Sequence, residues 1–172
     1  ADDVVIDLDP GMAFGTGTHA STQLVLAEMQ ALADAGDAPD RVLDVGCGSG
    51  ILAIAAVKRW PAARAIAVDN DPIAVAATAE NAARNGVGDR IAAGDALPGG
   101  AFPLVLANIQ AHVLRELKDA LVARTAGTLI LSGLLAPQAA PLADEFVAAG
   151  LRLVRVRPSA ADPQWAVAVL AR

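Results

Sequence analysis

The chain has 172 residues and a formal net charge of −6, and 55% of its residues are hydrophobic. This composition excludes intrinsic disorder, which requires low hydrophobicity together with high net charge. One cysteine and two histidines exclude a disulfide framework and an ordinary zinc site, so no metal is expected.

The distribution of charged and apolar residues indicates where the protein is located and which partners it has. Charged residues, glycines or prolines interrupt every long apolar run before about 18 residues, so we expect no membrane segment. No basic-then-apolar signal segment opens the chain, which favours a cytoplasmic protein. No cluster of basic residues appears either, and we therefore expect no direct nucleic-acid binding. The acidic balance instead favours a cationic or amine-bearing partner.

Helical patterns and short apolar runs alternate along most of the chain. In chain order they predict a helix at 21–35, a strand at 41–45, a helix at 51–59, a strand at 65–68, a helix at 72–84, strands at 90–93 and 103–107, a helix at 111–124, a strand at 128–132, a helix at 137–149, and strands at 151–157 and 165–170. Asp71 and Pro72 suit the N-cap and first position of their helix. Asn85 and Gly86 suit its end.

This alternation predicts the fold class. Strands that are apolar on both faces and alternate with helices indicate an α/β protein with a doubly wound, mostly parallel, seven-stranded sheet covered by helices on both sides. The last two strands are expected to form an antiparallel pair at one edge. We expect one domain over 1–172, with a leading loop and helix at 1–36 and a Rossmann-like core at 37–172. Ligands of such sheets bind beyond the carboxyl ends of the strands.

A glycine-rich loop follows the first predicted strand. Glycines at 46, 48 and 50 allow a sharp turn and a close approach of the backbone to a ligand. The dinucleotide fingerprint would require a third glycine at Ile51. Asp44, two residues before Gly46, would repel a pyrophosphate but attract the ammonium and sulfonium groups of S-adenosyl-L-methionine. We interpret Cys47 as a small residue in a crowded turn.

Two further carboxylates follow the next strands. Asp69 ends the second strand, where a carboxylate can accept hydrogen bonds from both hydroxyls of an adenosine ribose. Dinucleotide-binding oxidoreductases have a carboxylate at the same position, so Asp69 alone does not distinguish S-adenosyl-L-methionine from a dinucleotide. Asp95 follows the third strand and is a candidate contact of the adenine, although a solvated turn explains it equally well.

Several segments together resemble one known family. They read DPGMAFGTGTH at 9–19, LDVGCGSGILAIAA at 43–56, VDNDP at 68–72, ENAARNG at 80–86 and ANI at 107–109. The glycine loop alone is similar to class I methyltransferases in general. The first segment and the ANI motif are more specific, and resemble the bacterial methyltransferases of ribosomal protein L-eleven (PrmA).

The resemblance implies a function and its residues. It implies methyl transfer from S-adenosyl-L-methionine to lysine or N-terminal amines of a ribosomal protein, with Thr22, Gly46, Asp69 and Asn108 contacting the cofactor. Members also carry an N-terminal recognition domain, so we expect this chain to be the catalytic domain. Asn108 is the candidate catalytic residue, as acceptor of a hydrogen bond from the incoming amine; its alternative role is an N-cap. Phe14 is a candidate wall of the methyl pocket.

Other functions remain open at this point. The same fold methylates other proteins or small-molecule amines, and a domain can bind the cofactor without catalysis. A dinucleotide-binding oxidoreductase is the alternative from a different class.

Overall fold

The computed structural model describes residues 4–8 and 17–172. Its strands form one seven-stranded sheet in the order β3-β2-β1-β4-β5-β7-β6. The strands are β1 Arg41–Val45, β2 Arg64–Val68, β3 Ile91–Gly94, β4 Phe102–Asn108, β5 Thr125–Leu135, β6 Arg152–Pro158 and β7 Trp165–Ala171. Strands β1 to β5 are parallel, and β7 pairs antiparallel with both β5 and β6. The predicted fold class and the antiparallel pair at the edge are thus confirmed.

Helices cover both faces of the sheet and enclose two apolar cores. The helices are α1 Ala20–Asp34, α2 Ile51–Arg59, α3 Pro72–Arg84, α4 Ala111–Glu116, α5 Lys118–Arg124 and α6 Ala136–Ala148. The first three lie on one face and the last three on the other. Because α1 packs on β5 and β7, the leading helix shares its core with the rest of the sheet. Within residues 4–8 and 17–172, no helix is long and apolar enough to cross a membrane.

The predicted elements match the observed ones except in two places. The helix predicted over 111–124 is interrupted at Leu117, whose backbone has φ −89° and ψ 0° while its side chain packs on the apolar core of that face. Strand β5 is longer than predicted at both ends, since it starts at Thr125 and continues beyond a register shift between Leu131 and Leu134. Asp71 is the N-cap of α3, as predicted, and its side chain accepts a hydrogen bond from the amide of Ile73 at 2.8 Å.

Candidate functional site

Strand order brings three predicted site residues to one edge of the sheet. Val45, the last residue of β1, is in register with Val68 of β2 on one side and Ala107 of β4 on the other. The residues that follow these positions are Gly46, Asp69 and Asn108. They therefore meet beyond the carboxyl ends of three adjacent parallel strands, where ligands of such sheets bind.

The loop from β1 to α2 requires glycine at its first position. Gly46 has φ +74°, and a Cβ atom there would lie 2.2 Å from Cγ2 of Ile109. A larger residue would need both a left-handed backbone and displacement of a side chain that follows β4. Ile109, the last residue of the ANI motif but one with no predicted role of its own, thus limits how closely the loop approaches β4.

Two polar side chains of α3 hold the rest of the loop. The hydroxyl of Thr78 donates to the carbonyl oxygen of Gly48 at 3.0 Å, and the Asn81 amide donates to the carbonyl oxygen of Ser49 at 2.9 Å. Both side chains are buried. Their sequence signal was two polar residues three positions apart on the inner face of a helix, and it was missed.

Asp44 carries an uncompensated carboxylate in the core of the site. The residue is fully buried, and its Oδ2 accepts a hydrogen bond from the amide of Ala53 at 3.1 Å. Its Oδ1 has no hydrogen-bond partner in the described part of the chain. Burial raises the pKa of Asp44 to about 7, the Ala53 hydrogen bond opposes this, and the charge of Asp69 adds to it. A positively charged ligand group would relieve the cost of ionising this side chain.

Asp69, directly after β2, accepts hydrogen bonds from two backbone amides, one of them in the glycine loop. Its Oδ2 accepts from the amide of Gly48 at 3.0 Å, and its Oδ1 accepts from the amide of Asp71 at 3.0 Å. The side chain is half-buried. Since each carboxylate oxygen can accept more than one hydrogen bond, Asp69 retains acceptor capacity for a ligand hydroxyl.

Asn108 links the end of β4 to the start of α1. Its amide nitrogen lies 3.2 Å from Oγ1 of Thr22, which is buried. The N-cap of α4 is Gln110, so Asn108 does not have the capping role that was its alternative. The structure therefore joins Thr22 and Asn108, two predicted cofactor contacts from distant parts of the sequence.

The remaining predicted residues have different surroundings. The side chain of Asp95 is exposed just after β3. Cys47 is buried with its Sγ 3.2 Å from the hydroxyl oxygen of Thr78, and burial raises the pKa of its thiol to about 12, which agrees with a packing role. Residues 9–16 of the segment that carries the resemblance, Phe14 among them, lie outside the described residues. Within the described ranges, no group of three or more potential ligands forms a metal site.

The sheet order and the glycine loop define the class I methyltransferase fold. The magnesium protoporphyrin IX methyltransferase of Synechocystis, a structure with bound S-adenosylmethionine, has this fold with a TM-score of 0.71 at 19% identity over 87% of this chain and 78% of its own.

Closer similarity identifies the family. The family model "Ribosomal protein L11 methyltransferase (PrmA)" matches residues 1–172. The chain is 50% identical to the ribosomal protein L11 methyltransferase of Geobacter sulfurreducens over 157 residues, 90% of this chain and 51% of that protein. It is 33% identical to a crystal structure of ribosomal protein L11 methylase from Lactobacillus delbrueckii subsp. bulgaricus, with a TM-score of 0.83 over 97% of this chain and 84% of the other. The chain belongs to the ribosomal protein L11 methyltransferase family, and it spans about half the length of the curated relatives it matches.

Proposed function

We propose that this chain is the catalytic domain of an S-adenosylmethionine-dependent methyltransferase that modifies amines of a ribosomal protein. The observation that carries the proposal is the buried Oδ1 of Asp44, which has no partner among residues 4–8 and 17–172, at an edge of the sheet that also holds Asp69 and Asn108. Burying an unpaired carboxylate is costly unless a ligand compensates it. A cofactor with positive charges and no phosphate is the complement of such a site.

In this proposal each site residue is assigned one role. Gly46 lets the backbone approach the cofactor, Asp44 supplies negative potential, and Asp69 accepts hydrogen bonds from the ribose hydroxyls. Thr22 and Asn108 form the wall between β4 and α1. Asp95, exposed after β3, is the proposed adenine contact. When bound, the cofactor supplies an activated methyl group on its sulfonium.

The chain's own contribution to the reaction is orientation. Methyl transfer requires the acceptor amine, the methyl carbon and the sulfur to be aligned, and holding reactants in line lowers the barrier substantially. The amine must also be neutral, because a lysine ammonium has no free electron pair. Asn108 is proposed to accept a hydrogen bond from the incoming amine through its carbonyl oxygen, while its amide nitrogen remains bonded to Thr22. Desolvation in the crevice favours the neutral amine.

Two titrations test the cofactor assignment. Calorimetry should give saturable binding of S-adenosylmethionine and none of NAD, with Asp69→Asn weakening the former by about tenfold or more through loss of a charged acceptor. Asp37→Asn, which changes an exposed aspartate outside the site, is the matched control. Binding of NAD in place of S-adenosylmethionine would show that the chain is a dinucleotide-binding protein instead.

The catalytic role of Asn108 has a separate test. Asn108→Ala should lower methyl transfer to the ribosomal protein by about a hundredfold, as for loss of one positioned polar group, while the melting temperature changes little because the residue is only half-buried. The assay uses the chain together with the N-terminal domain that the resemblance implies. We expect the chain alone to bind cofactor but methylate its target poorly. Unchanged turnover in the Asn108 variant contradicts the role.

A further inference from the structure

One end of the sheet is left uncovered on the face that carries α4 to α6. Parallel strands are usually connected through a helix, but the connection from β3 to β4, residues 95–101, contains none. As a result, Ile66 of β2 is only half-buried and Ala92 of β3 is exposed, whereas their register neighbour Leu43 on β1 is fully buried. Ile66 and Ala92 form the floor of an open cleft of about 370 Å³.

Two arginines on neighbouring strands line this cleft. Arg41 and Arg64 begin β1 and β2 and are register partners on the paired strands. Arg41 stacks on the ring of Phe102 at 5.3 Å and donates to the carbonyl oxygen of Ala101, and Arg64 donates to the carbonyl oxygen of Asp89. In the described part of the chain, neither forms an ion pair.

The charges of these arginines are not balanced locally. Like charges directly opposite each other on paired strands destabilise a sheet. A third arginine, Arg90, also lines the cleft, although one of its nitrogens is bonded to carbonyl oxygens at the end of α2. The exposed Asp89 is the only acidic residue in the lining. Positive charge thus concentrates here in a chain with a net charge of −6.

We propose that this cleft binds a small amphiphilic anion, with a carboxylate or phosphate between the guanidinium groups and a flat apolar body on the strand floor. Arginine suits this role because its planar group binds such oxygens in a bidentate manner. The volume lies within the range of small-molecule sites, about 300–1,000 Å³. The cleft is at the amino ends of β1 and β2, opposite the edge that carries Gly46 and Asp69. The proposal is therefore independent of the proposed function.

Calorimetry with 2-naphthoate as the probe tests the proposal, with inorganic phosphate as a second probe that lacks the apolar body. At about 0.3 kcal/mol per non-hydrogen atom, 2-naphthoate should bind one site per chain with a Kd of about 1 mM. Phosphate should bind more weakly than 2-naphthoate. If phosphate binds as tightly as 2-naphthoate, the apolar floor contributes nothing and the proposal is refuted.

Three variants identify the site. Arg64→Gln should weaken naphthoate binding by about tenfold through loss of a charge-assisted hydrogen bond, and Ala92→Phe should abolish it by filling the floor. Arg152→Gln, at an exposed arginine of β6, is the matched control. S-adenosylmethionine affinity should be unchanged in all three. The proposal is overturned if naphthoate does not saturate, if neither cleft variant weakens it, or if Arg152→Gln weakens it as much as Arg64→Gln does.

Discussion

Asp44→Asn should stabilise the cofactor-free protein at pH 8 but not at pH 5. Burial raises the pKa of this carboxyl to about 7 in the folded chain, from an ordinary value of 3.8. The folded state therefore binds the proton more tightly than the unfolded state does. It follows that the contribution of Asp44 to the free energy of unfolding decreases as the pH rises from about 4 to about 7, and is then constant. An asparagine has no charge to desolvate and removes this dependence.

The size of the effect follows from the same values. One pKa unit corresponds to about 1.4 kcal/mol, so ionising Asp44 in the folded chain costs at most about 4 kcal/mol. We expect about half of this from the substitution, because the new amide leaves one N–H unpaired where Oδ1 now lies. For a chain of this length, about 2 kcal/mol corresponds to a rise in melting temperature of about 4–8 °C.

Thermal unfolding without cofactor, at pH 5 and pH 8, measures this difference. At pH 5 Asp44 is protonated in the folded chain but ionised in the unfolded chain, which costs the wild type about 1.6 kcal/mol. This nearly offsets the unpaired amide of the variant, so the two proteins should melt within about 2 °C of each other. Asp95→Asn, a change at an exposed carboxylate near the same sheet edge, should have no effect at either pH. Equal shifts at both pH values, or a lower melting temperature only at pH 8, would show that the Asp44 carboxylate is already compensated within the protein.

Three further predictions concern the loop, the cofactor and the leading helix. Gly46→Ala should lower the free energy of unfolding by about 3 kcal/mol, since it adds a clash to the cost of a left-handed residue. The control Gly36→Ala, at φ +90° with open space around it, should lower it by only about 1–2 kcal/mol. Urea unfolding measures both, and equal losses would show that the clash at Gly46 contributes nothing. S-adenosylmethionine should bind up to about tenfold more tightly at pH 8 than at pH 6, because its positive charge favours ionised Asp44, and calorimetry of Asp44→Asn should show no such trend. Glu28→Gln should lower the unfolding free energy by about 2–4 kcal/mol, because it removes a buried carboxylate that pairs with two arginines of β6; an unchanged urea midpoint would mean that these pairs contribute nothing.

Local sequence signals were sufficient for most of the fold. Strand β1 begins and ends where its apolar run and the glycines after it predict, and helix α2 begins directly after Gly50, because these signals lie in the segment itself. The Asp71 cap is local in the same way. The break at Leu117 has no such signal, since 111–124 has an uninterrupted helical pattern and the interruption accompanies packing on the sheet.

Interactions between distant residues could not be predicted from these signals. Glu28 resembles any other charged residue of a helix, yet it is buried against Arg155 and Arg157, which are more than a hundred residues away. The bond between Thr22 and Asn108 likewise depends on α1 packing beside β4. The resemblance named both residues as cofactor contacts but gave no reason why they should meet.

Strand order explains why a stability defect and a binding site coincide at Asp44. Strand β1 lies inside the sheet between β2 and β4, and Val42, Leu43 and Asp44 on it are fully buried. A carboxylate there loses its hydration, and among the described residues only Oδ2 of Asp44 has a hydrogen-bond partner. The same position lies two residues before the loop through which a ligand approaches. Ionising Asp44 is costly without ligand, because the carboxylate is buried. A cationic ligand relieves this cost, and the relief adds to the binding free energy.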